Sequence, residues 1–401
     1  MPVYAPLTHP LPSDSYRWIS CYDPLLARVP CCVDGDFHRL RFETGASTNG
    51  GSATGGSASG GSTPETAKPT ATKRIVLLNN TDSPFWDAAR AGIQQAADDL
   101  KLAKAGFTAS MDSNDGTEQG QIEKLRQYGT QRDIAAVIIS PISSSNPAIA
   151  DELEKLSKKG VIIGCFDSDL NEKNRSIRNF YVGTNNVVGG KVLGTAAKNL
   201  RAKGEYVQFV GVDSQQNAIE RMDGFTSAMG QGYVQKDRRL DDADRSRARD
   251  NVRDVISKYP DLSMLVGIWS YNAPAIVDVV NEKKVRDRFT IVTFDAEQIA
   301  IQQMAEGMID AMVVQNPFGM GYDSVKYAFA KITGDTATAK EMFPSMGQPG
   351  GDIRDTGLKV VVPAKDTPLK PEMFKDFGPS VEFVTLPQFQ EWLTKYRLTS
   401  S

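Results

Sequence analysis

From Arg74 onward, short apolar runs alternate with longer amphipathic stretches. The first runs are Ile75–Leu78, Phe107–Met111, Ala135–Ile139 and Val161–Phe166, each of strand length. After the first of them, Phe85, Ala89, Ile93, Ala96 and Leu100 recur every three or four residues, which gives a helix one apolar face. Pro84 suits the first turn of that helix, with Ser83 before it as N-cap. A second series has strands at Tyr206–Val210, Tyr233–Gln235, Met264–Ile268, Phe289–Phe294 and Ala311–Val314. Its helices lie near Val187–Arg201, Ala218–Met229, Arg245–Lys258, Ala273–Lys284 and Gln298–Glu306. A late strand, Leu358–Val362, follows a Gly/Pro-rich stretch from Pro344 to Gly351, and a short helix is expected near Leu386–Tyr396. Repeated β-α units predict parallel sheets, and two successive series of similar size predict two lobes.

What stands at the ends of the apolar runs matters more than the runs themselves, because ligands of open parallel sheets bind outside the carboxyl ends of the strands. The first run leads into Asn79 and then Ser83, Pro84, Phe85 and Trp86; the fourth reaches Asp167. In the second series the ends are Trp269–Asn272, Asp295 and Gln315. Carboxylates, amides and large aromatics, with no histidine or thiol pair, suit holding a neutral, hydroxyl-rich small molecule better than transforming one. Hydroxyls around the edge of such a molecule need donors and acceptors, charged partners giving the stronger bonds; Asp167 and Asp295 supply charged acceptors. Its C–H faces need flat apolar surface, as on Phe85, Trp86 and Trp269. The amides of Asn79, Asn272 and Gln315 both donate and accept.

Composition narrows the alternatives. The chain has 401 residues, room for two ordinary domains, and a formal net charge of -3, which points to no nucleic-acid partner. The basic cluster from Lys236 to Arg249 is interleaved with acidic residues and reads as a solvated helix face. His9 and His38 both precede the alternating region, so no histidine-based triad or metal site is expected after residue 40. Cys21, Cys31, Cys32 and Cys165 form no C-x-x-C pair, and Cys165 reads as an inert buried residue. No metal or cofactor is expected; Asn79–Thr81 stands where the glycines of a dinucleotide fingerprint would be. No run is long and apolar enough to span a bilayer, and no signal-peptide pattern opens the chain. Residues 46–63 are a Gly/Ser-rich low-complexity stretch, so residues 1–72 are expected to be a disordered segment with a flexible linker.

Five fragments in order, Asn79–Trp86, Asp167, Gly183–Lys191, Glu220–Phe225 and Val292–Asp295, resemble the ribose-type periplasmic sugar-binding proteins of ABC transporters, from about residue 74 to about residue 362. The resemblance implies two Rossmann-like α/β lobes with parallel sheets, joined by a three-crossing hinge. It implies an N-terminal lobe of residues 73–182 plus 316–356. A C-terminal lobe of residues 183–315 plus 357–401 follows, with a C-terminal extension. It implies capture of one monosaccharide by lobe closure without chemistry, delivery to a membrane permease of an ABC transporter, a periplasmic or envelope-anchored location, and a monomer. Residue by residue, it assigns ligand contacts to Asn79, Ser83, Phe85, Trp86, Asp167, Arg221, Asp295 and Gln315; Ser270, Tyr271 or Asn272 occupy the segment that carries an asparagine in the family, Asn272 slightly displaced from it. The ribose binders carry arginine where Ser168 stands and lack the Trp269–Tyr271 segment, which leaves the sugar open.

Each residue also has a plain structural role open to it. Phe85 and Trp86 could belong to the helix core, Trp269 to ordinary packing, and Gln315 to the surface or hinge. Asp167 could cap a loop, Asp295 could cap the following helix, and Arg221 could pair with Glu220 or Asp223. Three other functions use similar features: a sugar or polyol sensor, a lac-repressor-type regulator, and a glycosidase built on Asp167 and Asp295. The Gly/Ser coil before Arg74 shows no recognition helix, which weighs against the regulator. A glycosidase would need one carboxyl of raised pKa and a water site.

Overall fold

The structure, a computed structural model, describes residues 72–401; the Gly/Ser stretch, both histidines, Cys21, Cys31 and Cys32 lie outside them. The chain begins with β1 (Lys73–Leu78), α1 (Phe85–Asp99), β2 (Phe107–Asp112), α2 (Glu118–Thr130), β3 (Ile134–Ile139), α3 (Pro147–Lys158), β4 (Ile162–Phe166) and β5 (Phe180–Gly183). It then passes into α4 (Asn186–Leu200), β6 (Gly204–Val210), α5 (Gln216–Met229), β7 (Tyr233–Leu240), α6 (Arg245–Lys258), β8 (Leu262–Gly267), α7 (Asn272–Lys283), β9 (Thr290–Phe294), α8 (Gln298–Ala305) and β10 (Ala311–Val314). It returns through α9 (Pro317–Thr333), α10 (Thr336–Met342) and β11 (Ile353–Asp355), and crosses again to β12 (Leu358–Val362), β13 (Val381–Thr385) and α11 (Leu386–Lys395).

These elements build two parallel-sheet α/β lobes. The first sheet has the order β11-β5-β4-β3-β1-β2 and every pairing in it is parallel. The second has the order β13-β12-β10-β9-β8-β6-β7, parallel except where β12 runs antiparallel to β10. Helices cover both faces of each sheet, so Ile75–Leu78 and Leu265–Val266 are wholly buried and read as continuous apolar runs. In each sheet the strand order reverses once near its first strand, beside β1 in one lobe and beside β6 in the other. Crevices form at such reversals.

The three crossings lie side by side. Thr356 N–H donates to the Gly183 carbonyl at 2.8 Å, Asn316 Nδ2 to the Thr356 carbonyl at 3.4 Å, and Gln315 Nε2 to Thr184 Oγ1 at 2.9 Å. Arg178, with a fully buried side chain, grips Asp169 through two nitrogens at 2.6 and 2.7 Å and reaches Asp352 at 2.6 Å, which anchors the returning chain beside β5.

Four details differ from the sequence reading. Pro84, not Ser83, is the N-cap of α1, and no side chain caps it; the Ser83 carbonyl instead accepts from Trp86 N–H at 3.1 Å. The charged stretch after Gln235 continues β7 as an edge strand, where charges suit an unpaired rim, and only its latter part is helical. The short strands β5, β11 and β13 carry too few residues to show a period. The helix α9 is rich in glycine because it packs backbone to backbone on α1: a Cβ on Gly321 would lie 2.2 Å from the Ala89 carbonyl oxygen.

Candidate functional site

A cavity of about 100 Å³ lies between the lobes, at the carboxyl ends of both sheets. On the same scale an apolar cavity of ~150 Å³ admits one benzene ring. The space is smaller than that and leaves no room for an oligomer.

Its charged floor is Arg221, whose side chain is 1% exposed. The guanidinium donates to Asn186 Oδ1 at 2.9 Å, to the Ile268 carbonyl at 3.2 Å and to Gln315 Oε1, and lies 3.5 Å from Asp295 Oδ2 and 3.9 Å from Asp167 Oδ1. It lies over the Phe294 ring at 4.6 Å. Two glycines explain its placement. A Cβ on Gly190 would fall 2.3 Å from the Arg221 carbonyl oxygen, and one on Gly224 would fall 2.5 Å from that of Val187. Only glycine lets α4 and α5 approach so closely, and that contact drives Arg221 inward. No ion pair joins Arg221 to Glu220 or Asp223; Asp223 pairs with Arg238 instead.

Asp167 and Asp295 each follow the last residue of a strand, in the left-handed backbone region, with φ of 59° in both. A non-glycine residue there is uncommon, and Asp tolerates it better than most. Burial pushes the Asp295 carboxyl up to about 7 against the pull of Arg221; it raises Asp167 too, opposed by Arg221, Ser140 and Asn217. Neither caps a helix: the N-cap of α8 is Glu297, and the Asp167 carboxylate accepts from Ser140 Oγ and Asn217 Nδ2.

The apolar walls are Phe85, Trp86 and Trp269. Phe85 and Trp86 meet edge to face at 4.9 Å, and Trp86 meets Phe166 at 5.3 Å. Both are also part of the lobe core, so lining and packing coexist at the first turn of α1. Ser83 and the side chain of Gln315 line the cavity as well. The Gln315 amide is already engaged at both ends, by Arg221 and Thr184, so it fixes the arginine and the crossing.

Asn79 and Asn272, both expected at the ligand, do not line the cavity. Asn79 still follows the strand, its N–H bonded to Asp112, so alternation turns its side chain away: Oδ1 accepts from Asn114 N–H at 2.7 Å. The next residue, Asn80, faces the cleft and donates to Gln215 Oε1 of the other lobe at 2.9 Å. Asn272 is fully buried behind the loop it shapes: its Oδ1 accepts from Trp269 N–H at 2.9 Å and its Nδ2 donates to Asp241 at 3.1 Å.

Sequence reasoning missed Asn80, Gln215, Asn217 and Arg245, all at the cavity. Asn217 lies one turn before Arg221 on α5, so the i, i+4 spacing was the available signal. Arg245 is held by Glu297 through two contacts at 2.7 and 3.0 Å and stacks over Tyr271 at 5.5 Å. Behind it, burial pushes the Asp241 carboxyl up to about 6, although Tyr271 and Asn272 both donate to it.

Three residues that line the cavity each carry a buried polar atom with no partner: Asp295 Oδ1, Asn217 Oδ1 and Trp269 Nε1. Other buried polar atoms of the described residues also lack a partner, Thr293 Oγ1 and Ser324 Oγ among them, but these three stand together on the residues of one cavity, two acceptors and a donor that a polar guest can satisfy. The lobes meet around that space. Besides the Asn80–Gln215 and Asn217–Asp167 contacts, Ser144 N–H donates to the Ser214 carbonyl at 3.1 Å. Cys165 takes no part: it is fully buried and burial pushes its thiol well up. Among the described residues, no group of three or more His, Cys, Asp or Glu side chains could hold a metal ion, and no helix is long and apolar enough to cross a membrane.

The pattern of the whole chain agrees with this geometry: residues 75–336 match the family described as periplasmic binding protein domain. The chain belongs to the periplasmic binding protein family. Among solved members of similar fold is an ABC transporter solute-binding protein from Burkholderia graminis in complex with D-arabinose. It is 23% identical, covers 74% of this chain and 98% of its own, and has a TM-score of 0.64. Another, from Actinobacillus succinogenes with bound D-allose, is 16% identical over 76% of this chain and 99% of its own, with a TM-score of 0.62. A curated relative, the D-apiose import binding protein of Actinobacillus succinogenes, is 26% identical over 151 residues, which is 37% of this chain. The match spans 46% of that relative's length, somewhat under half. The periplasmic binding protein fold thus rests on the family match and on the two lobes alike.

Proposed function

We propose that this chain captures one monosaccharide in the interlobe cavity, unchanged, and presents it to the membrane permease of an ABC transporter. The observation that carries this reading is the set of unpartnered buried atoms, Asp295 Oδ1, Asn217 Oδ1 and Trp269 Nε1, on residues that line one small cavity together with Phe85 and Trp86. A sugar satisfies all of them: its hydroxyls donate to the two oxygens and accept from the indole, while its C–H faces meet the aromatic walls. Charge favours a neutral guest. Two carboxylates share one buried arginine, and the second cavity arginine, Arg245, is already paired with Glu297. An added anion would meet net negative charge in a desolvated space.

The binding reading is supported by the sugars bound to the Burkholderia and Actinobacillus proteins and by the name of the apiose importer. It carries with it no enzymatic step, a periplasmic or envelope-attached location and action as a monomer. Capture proceeds by hinge closure at the crossings near Gly183, Gln315 and Gly357, a motion open to two lobes tied by adjacent strands of chain. A thermal-shift screen over pentoses, hexoses and polyols tests the reading. At ligand one hundred times above Kd, stability rises by about 2.7 kcal/mol, which shifts the melting temperature by several degrees. A flat response across the panel, or chromatography showing the sugar cleaved or oxidised, would contradict it.

A further inference from the structure

The segment after α11 makes contacts that neither the family match nor the cavity accounts for. Ser400 and Ser401 are 4% and 1% exposed, more buried than the neighbouring residues at the end of α11. Ser401 pairs with Ala296 in both directions, N–H to carbonyl at 3.0 Å and the reverse at 2.6 Å. Ala296 directly follows Asp295. The Ser401 hydroxyl donates to the Gln315 carbonyl at 2.9 Å, so one residue holds the backbone next to Asp295 and at the cavity-lining Gln315. The Ser400 hydroxyl donates to the Pro84 carbonyl at 3.2 Å, and Pro84 belongs to the other lobe, between Ser83 and Phe85. A second contact spans the lobes at the same place: the Tyr396 ring lies 5.0 Å from that of Phe318 on α9. The helix before this segment packs through Phe389 and Leu393 into the core of the second lobe. The segment is thus rooted in one lobe and bonded to the other.

We propose that Tyr396–Ser401 is a positioning element of the cleft, which braces the turns bearing Asp295 and Gln315 and ties them to the start of α1, so that it limits how far the lobes part. None of these residues touches the cavity; they act through Ala296, Gln315 and Pro84. The brace falls beside Asp295, which sits in the left-handed region with burial working against its charge. The proposal takes the cleft to be the ligand site, as above, but its test needs no ligand.

The test is hydrogen exchange on the ligand-free full chain, read at the Ser144 amide. That amide bonds across the cleft to the Ser214 carbonyl, and its bond involves no residue of the segment. Deleting residues 397–401 leaves α11 whole. The expected result is exchange about tenfold faster at Ser144, with amides inside both sheets, such as Val76 and Val292, unchanged. Ser400→Ala is expected to give a smaller increase at the same amide, and Ser400→Thr, which keeps the hydroxyl, to restore slow exchange. Unchanged exchange at Ser144 in the deletion overturns the proposal. So does acceleration spread evenly through both sheets in Ser400→Ala, which would mean loss of general stability and not release of the cleft. A chain that passes this test and binds no sugar would refute the sugar reading and leave the brace standing.

Discussion

Asp167 and Asp295 occupy matching places in the two lobes. Each follows its strand in the same left-handed turn, and the N–H of each reaches the next strand, at Val182 for Asp167 and at Val313 for Asp295. Their carboxylates differ. Asp167 accepts from Ser140 Oγ at 3.0 Å and from Asn217 Nδ2 at 3.2 Å, so its place is set by the protein from both lobes. Asp295 has Arg221 at 3.5 Å on one oxygen and nothing on the other. One carboxylate is bonded by side chains of both lobes; the other keeps one oxygen without a partner. The same turn therefore has two settings: the Asp167 carboxylate is bonded from both lobes, and the Asp295 carboxylate, on the function proposed above, is the one left for a guest.

The comparison breaks first under substitution. Asp295→Ala is expected to weaken binding of the best sugar about 100-fold or more, the worth of charge-assisted hydrogen bonds made in a dry site. The ligand-free melting temperature is expected to stay close to that of the unaltered chain, because the carboxylate removed is poorly satisfied. Asp167→Ala is expected to weaken binding less and to lower the ligand-free melting temperature, because Ser140 and Asn217 lose their shared acceptor. Calorimetric titration and thermal melts of both variants check this; equal losses of affinity with equal melting shifts would remove the distinction.

A smaller effect sharpens the same contrast through pH. The Asp295 carboxyl is raised to about 7, by burial first, with Asp167 and Glu297 adding to the rise and Arg221 opposing it. The folded ligand-free protein therefore binds more protons than the unfolded chain between the ordinary Asp value and 7. This contribution to stability is full below about pH 4 and is lost as pH rises through 7. Sugar hydroxyls that donate to Asp295 favour its charged form, so affinity runs the other way, about tenfold weaker at pH 6 than at pH 8. Titration in buffers of different ionisation heat reads the proton released on binding near pH 7. In Asp295→Asn both the pH slope and the proton release are expected to vanish.

Much of the fold was legible because its strands are buried on both faces and its helices on one, so period and run length both spoke. The crossings came from the resemblance and not from any period, and the short strands β5 and β11 were not legible, since they are fixed by pairing and by the Arg178 contacts and not by their own few residues. At the site, the strand-end rule found Asp167, Asp295 and Trp269 because each stands where a strand stops. It placed Asn79 at the cavity where Asn80 is, because one residue of extended backbone turns a side chain to the other side. Arg221 was found by resemblance alone; the physical reason for its place, the glycine contact between α4 and α5, needs both helices in view. Gln215 and Asn217 were missed because they come from the start of a helix whose strand end, Gly211, carries no side chain to mark it.

The most direct measurement is a crystal structure of the chain with the sugar that stabilises it most. The account predicts one sugar ring between Trp86 and Trp269, with hydroxyls within hydrogen-bond distance of Asp295 Oδ1 and Asn217 Oδ1. A sugar bound elsewhere, or one in the cavity that leaves Asp295 Oδ1 unpaired, would contradict it.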